Sequence, residues 1–239
     1  MEERVRIEKK DGIADVRMVR ADKLNAMDLP MFAALAEAGL ELAADRSLRA
    51  VVLSGEGRAF SAGLDVEAVM GSLGKRNEGP RLSDPSPDSP ANHAQRAAWV
   101  WQELPVPVIA AVHGVAYGAG LQVALGADIR FVAPDAKLSI RESYWGLIPD
   151  MAGSQLLRGL VRPDVAKELT FTARVISGRQ AVELRLATHL SDDPHRDAPR
   201  VRRGRRDSGR ARRDHQHRFR GSDPGRGLRQ FHQHRQRHR

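Results

Sequence analysis

From Val5 to Val19 apolar and polar positions alternate, first in VRIEKK and then in GIADVRMV around Asp11-Gly12. A period of two predicts a pair of strands joined by a tight turn whose residues supply positive φ. The period then lengthens: Leu29, Phe32, Leu35, Ala36, Leu40 and Ala43 recur at helical spacing behind Asp28, a candidate N-cap, with Pro30 in the first turn. A helix is predicted to about Ala44. Two short, wholly apolar runs follow, one at Ala50 to Leu53 before Gly55 and one at Val108 to Val112 before His113-Gly114. Each reads as a strand covered on both faces. After Gly114, VAYGAGLQVALGADIRFV gives a glycine-containing turn, an apolar helix around Leu121 to Leu125 and a strand at Asp128 to Val132. Further helices are predicted from Pro163 to Thr172 and from Gly178 to Leu186. Strands and helices in alternation predict an α/β core. Between the two apolar runs, Gly71 to Asn92 is rich in Gly, Pro, Ser and charge, and reads either as a loop over a site or as a surface insertion.

Charge changes the picture only once it is divided by position. Of 39 Lys and Arg and 30 Asp and Glu in the 239 residues, the last 47 hold 16 Arg, no Lys, 5 Asp and no Glu. Residues 1–192 therefore carry slightly more acid than base, and the overall +9 describes the tail. The tail has six residues of the hydrophobic set in no periodic order, too few to bury a core, so disorder is expected from Asp193 onward. The division predicts a core at 1–192 and an Arg/His-rich tail at 193–239. Zero cysteines exclude a disulfide framework, a thiolate metal site and a cysteine nucleophile, and fit a reducing, cytoplasmic setting. His93 and His113 have no partners at metal-ligand spacing, so no metal is expected. No stretch approaches the roughly 20 apolar residues that span a bilayer, and no membrane partner is expected.

Candidate chemistry lies in the small-residue turns that follow the buried strands. Arg58-Ala59-Phe60-Ser61-Ala62-Gly63-Leu64-Asp65 follows the first, and Gly118-Ala119-Gly120 follows the second. Such turns expose backbone N–H groups that can converge on one oxygen, or they serve only close packing. Five blocks, RADKLNAMD, GEGRAFSAGLDV, PVIAAVHGVAYGAGLQVALGADIRF, LSIRESYWGLIPDMAGSQLL and ISGRQAVELRLA, stand in an order and with gaps that resemble the crotonase (enoyl-CoA hydratase/isomerase) superfamily. The resemblance covers residues 5–192.

What the resemblance implies is a ββα spiral that holds an acyl-CoA thioester with its carbonyl oxygen between the N–H groups of Leu64 and Ala119. Ala119 stands where the family more often has Gly, a change that leaves a backbone donor in place. Coenzyme A would enter as part of the substrate, with no tightly bound cofactor, and Lys23, Ala62, Leu64, Asp65 and Val66 would lie along it. The Asp65 side chain is equally suited to cap the following helix. Hydratases of this family use two glutamates on a water, and the matching positions are Gln122 and Glu142. A carboxamide cannot exchange a proton as a carboxylate does. Glu142, with Asp150 matching an aspartate of the dienoyl-CoA isomerase branch, therefore points to double-bond isomerisation. The alternative is hydration of a 2-enoyl-CoA by Glu142 acting on a water positioned by Gln122. Trp145, and less so Trp99 and Trp101, are candidates to line an acyl pocket, although aromatic residues at such spacings are more often core.

Family members continue past Ser191-Asp192 with helices that close the acyl pocket and build a homotrimer or a dimer of trimers. Here that helical region is missing or replaced by the basic tail. Its Arg, His, Gly, Pro and Gln mixture is what a G+C-rich gene gives when read out of frame, or it is a real tail on a shortened enzyme. A third possibility is an inactive homologue whose tail binds nucleic acid through salt-sensitive phosphate contacts.

Overall fold

The computed structural model describes residues 2–72, 81–86 and 89–198. The opening alternation forms the expected hairpin, β1 (Val5–Lys10) antiparallel to β2 (Ile13–Met18). It turns through Asp11 at φ 52° and Gly12 at φ 78°, both left-handed. β2 runs parallel to β3 (Ala50–Gly55), β3 to β4 (Val108–Val112), β4 to β6 (Ile129–Val132) and β6 to β9 (His189–Leu190), giving one six-stranded sheet in the order β1-β2-β3-β4-β6-β9.

Burial along β3 and β4 alternates between two faces. Val51, Leu53, Val108, Ala110 and Val112 join the main core with α1 (Leu29–Ala44) and α3 (His93–Glu103). Val52, Ile109 and Ala111 face the other way. Both faces are covered, so the runs are continuously apolar, and full burial of each Val or Ile contributes about 1.5–3 kcal/mol. α1 begins where the Asp28 side chain accepts the Met31 N–H. α3 begins at a reciprocal pair in which Asn92 and Gln95 side chains each accept the other's backbone N–H. The two helices pack so closely at Gly39 that an added methyl would stand 2.4 Å from the Val100 side chain.

A second, three-stranded sheet is built from β5 (Val115–Tyr117), β7 (Lys137–Ser139) and β8 (Ile176–Ser177). The chain gives a strand to each sheet and then a helix: β4, β5 and α4 (Ala119–Leu125) make one turn. β6, β7 and a 3-10 turn at Glu142–Trp145 leading to α5 (Gly153–Leu157) make the next. An isolated bridge from Ser61 to Ala116 ties the chain after β3 to the same sheet. This repetition is the expected α/β spiral. Between β3 and α3 lies α2 (Val66–Ser72), and α6 (Pro163–Thr172) follows α5. α7 (Gly178–Glu183) stops short of the expected Leu186, because Arg185 takes a left-handed φ of 64° that a helix cannot continue through.

The ordered chain runs past the expected boundary at Asp192. Asp193 accepts the Arg196 N–H and opens α8 (Pro194–Asp197), His195 Nε2 lies 3.0 Å from Asp15 Oδ2, and Ala198 is buried against Val52, Ile109 and Ala111. Composition missed this because buried Pro194 and Ala198 with a few side-chain hydrogen bonds suffice to dock a single turn. The basic tail from residue 199 onward lies outside the described residues. Among the described residues no helix is long and apolar enough to cross a membrane.

Candidate active site

Three stretches meet around one cavity of about 520 Å³: Ala62 to Leu64 after β3, Gly118, Ala119 and Gln122 at the start of α4, and residues between Arg141 and Met151. The first is fixed by a buried asparagine. Asn25 Nδ2 donates to Glu56 O at 2.9 Å and Ala59 O at 2.8 Å, while Ser61 Oγ donates to Asn25 O at 2.8 Å. Ser61 also pairs with β5, its N–H to Val115 O and its carbonyl accepting from Tyr117 N–H. Met27 N–H donates to Gly63 O, and Asp65 N–H to Met27 O. This ladder leaves the Leu64 N–H without an acceptor among the described residues, as is the Ala119 N–H at the first position of α4.

Two glycines let the stretches that carry these N–H groups approach closely. At Gly63 (φ 96°) an added methyl would stand 2.7 Å from Tyr117 O and 3.8 Å from Ala119 N. At Gly120 it would stand 2.5 Å from Ser61 Cβ. The close packing considered at the level of sequence is thus present at both glycines.

Gln122 and Glu142 occupy one wall. The Gly153 N–H can only donate, so it fixes the carboxamide with Oε1 toward Gly153 at 2.8 Å and Nε2 toward Glu142 Oε1 at 2.5 Å. Glu142 is 8% exposed, and its Oε2 is buried with no hydrogen-bond partner among the described residues. Burial pushes its carboxyl above the ordinary glutamate value; its own backbone N–H and Gln122 oppose this, and the Asp150 charge adds to it. Asp150 is exposed on the same cavity lining, so the loop from 142 to 150 does fold back to bring both acids to one space.

The other expected contacts divide. Ala62, Leu64 and Val66 line the cavity. Asp65 turns away: Ala68 N–H donates to it at 3.0 Å and Arg20 Nη1 at 2.7 Å. It is thus the helix cap of the two roles considered, and the Ala68 N–H, ahead of Arg20, holds its pKa low against burial. Lys23 is exposed at the end of a 3-10 turn and is not among the lining residues. Trp145 lines the cavity while 61% exposed, Trp101 is core, and Trp99 borders a second, neighbouring cavity that shares Ile148 and Asp150 with the first. Leu82, Ser83 and Asn92 also line the main cavity, so the described part of the polar segment reaches the site. The Gly153 anchor and Arg141 escaped the sequence reading. Arg141 offered a signal, a cation directly before the candidate acid; the Gly153 N–H offered none.

Residues 8–190 match the family model described as enoyl-CoA hydratase/isomerase. The chain is similar to 1,2-epoxyphenylacetyl-CoA isomerase of Escherichia coli, 35% identical over 185 residues covering 76% of this chain and 67% of that protein. It is also similar to the mitochondrial Delta(3,5)-Delta(2,4)-dienoyl-CoA isomerase of Mus musculus, 30% identical over 192 residues, 76% of this chain and 56% of that one. Among solved structures, an enoyl-CoA hydratase/isomerase from Mycobacterium paratuberculosis superposes with a TM-score of 0.73 at 27% identity, over 84% of this chain and 77% of that one. The chain spans about half to two thirds of the length of these curated relatives. Fold, cavity and sequence match agree, and the chain belongs to the enoyl-CoA hydratase/isomerase family.

Proposed function

We propose that the cavity binds an acyl-CoA thioester and moves a carbon–carbon double bond along its acyl chain, with Glu142 carrying the proton. The observation that carries this reading is the buried carboxyl of Glu142, with one oxygen tied to Gln122 and the other unpartnered. A group held in this way, and raised in pKa, can take a proton from carbon and return it.

In a 3-enoyl thioester, Glu142 removes a proton from C2. The C–H electrons form the enolate, whose oxygen accepts hydrogen bonds from the Leu64 and Ala119 N–H groups. Each fixed donor of this kind is worth about 3 kcal/mol in such a transition state. The protonated Glu142 then delivers its proton to C4, and the double bond finishes between C2 and C3. Coenzyme A is carried by the substrate throughout. Gln122 has both ends of its carboxamide engaged and serves to hold Glu142, which supports a one-acid isomerase over a two-acid hydratase.

The test is Glu142→Gln assayed with 3-enoyl-CoA and 2-enoyl-CoA. Turnover of both is expected to fall at least about 10²-fold, the low end of general acid–base contributions. Retained activity removes Glu142 from the mechanism.

A further inference from the structure

We propose that Arg141 is an anion-binding group of this cavity, taking a carboxylate on the acyl chain or a phosphate of coenzyme A. The inference rests on the acyl-CoA reading and deepens it to a substrate class.

Among the described residues that line the cavity, Arg141 is the only cation. Its guanidinium has no carboxylate partner among the described residues. It is held instead by neutral groups: Nη1 donates to Ala173 O at 3.3 Å, the Tyr144 ring lies 4.3 Å from its central carbon, and the Tyr117 ring lies 5.8 Å away. Glu142, its neighbour in sequence, has one oxygen taken by Gln122 and makes no ion pair with Arg141 among the described residues. The Ala173 carbonyl is itself fixed by Ser139 Oγ at 2.8 Å.

A guanidinium offers five N–H donors in a planar fork, and one is used here. Stacking on rings and anchoring on a fixed carbonyl restrict the side chain before any ligand arrives, which lowers the entropy lost on binding. The remaining edge of the fork suits two oxygens of a carboxylate or phosphate. The guanidinium also offsets the two acids, Glu142 and Asp150, that share the lining.

The test is calorimetric titration of the full chain with adipoyl-CoA and hexanoyl-CoA, and with the pantetheine thioesters of the same two acids, which carry no phosphate. Wild type is compared with Arg141→Met and Arg141→Gln. The expected effect is about 10- to 100-fold in Kd, the range of a hydrogen-bonded charge. A preference for the adipoyl thioesters that persists without phosphate and disappears in the variants assigns Arg141 to an acyl carboxylate. Equal weakening of both CoA thioesters in the variants, absent with the pantetheine thioesters, assigns it to phosphate. Unchanged affinity in both variants overturns the inference and leaves the acyl-CoA reading standing. Should the variants not fold, wild type still decides: if neither the carboxylate nor the phosphates tighten its binding, the inference falls. No binding of any of the four by wild type overturns the acyl-thioester reading, and the inference with it.

Discussion

Gln122→Glu places a second carboxyl where a carboxamide oxygen or nitrogen now stands, 2.5 Å from Glu142 Oε1. Two carboxylates at that spacing cannot both be charged. Unit charges about 4 Å apart at an effective dielectric of about 20 repel by about 4 kcal/mol, or about three pKa units for the pair. The Gly153 N–H, 2.8 Å from Gln122 Oε1, still donates to the new group and relieves roughly a third of that. The pair's pKa is therefore raised in the folded state, which binds more protons than the unfolded chain between the ordinary glutamate value and the raised one. Stability must fall as pH rises through that window. Urea unfolding at pH 5 and pH 8 should show the variant losing about 2 kcal/mol more than wild type across the interval. Equal losses would mean that the two side chains are not in contact, and would refute the geometry from which the site is built. The same variant supplies the paired acids of a hydratase, so hydration of a 2-enoyl-CoA should appear. If the pH slope appears without hydration, the geometry stands and the reason for preferring isomerisation does not.

The remaining expectations concern separate parts of the molecule. Because the Glu142 pKa is raised, chiefly by burial, wild type should lose stability as pH rises past the ordinary glutamate value, and Glu142→Gln should flatten that slope in paired urea titrations. For the same reason the acid limb of kcat/KM for a 3-enoyl-CoA should sit above the ordinary glutamate range. Gly120→Ala puts a methyl 2.5 Å from Ser61 Cβ; overpacking should cost about 1–3 kcal/mol and lower kcat by separating the two N–H donors. Gly159→Ala, with nothing within 4 Å of the added methyl, should stay within about 0.5 kcal/mol of wild type. Burial tends to raise the Asp15 pKa, but bonds from His195 and Arg17 outweigh it and hold the group low. Its contribution is present above the ordinary aspartate value and lost as pH falls. Asp15→Asn should cost about 1 kcal/mol at pH 7 and speed amide exchange in α8.

Local elements were legible because their causes are local. Asp28 with Pro30 marks a helix start from side-chain chemistry alone, and Asp11-Gly12 marks a turn by tolerance of positive φ. The apolar runs at β3 and β4 announced burial on both faces, although not that Ala198 would cover one of them. The candidate site was reached only through resemblance to a family. Leu64 and Ala119 are 55 positions apart, and what joins them is the contact of Gly63 with Tyr117 and of Gly120 with Ser61. Nothing in either glycine's own neighbourhood specifies that contact. The same holds for the Gly153 N–H, a backbone group whose partner is set wholly by where α5 falls.

α4 is the element on which the proposed chemistry converges. Its first residue presents one N–H donor, and its fourth, Gln122, holds the acid through a carboxamide oriented from α5. A displacement of this helix would disturb both groups together, so its far end must be secured as firmly as its start. Arg130 secures it. Buried on β6, it donates to Leu186 O at 2.9 Å and to Ala127 O, with Ala124 O and Leu125 O at 3.4 and 3.5 Å from the same nitrogen. Burial lowers its pKa to about 10, so it keeps its charge at neutral pH and sets a cation against the carbonyl end of the helix dipole. An apolar side chain of similar length would take this donor from the Leu186 and Ala127 carbonyls, each at a cost of about 1–3 kcal/mol. The buried guanidinium thus helps to fix the helix that carries both the proposed oxyanion donor and the partner of Glu142.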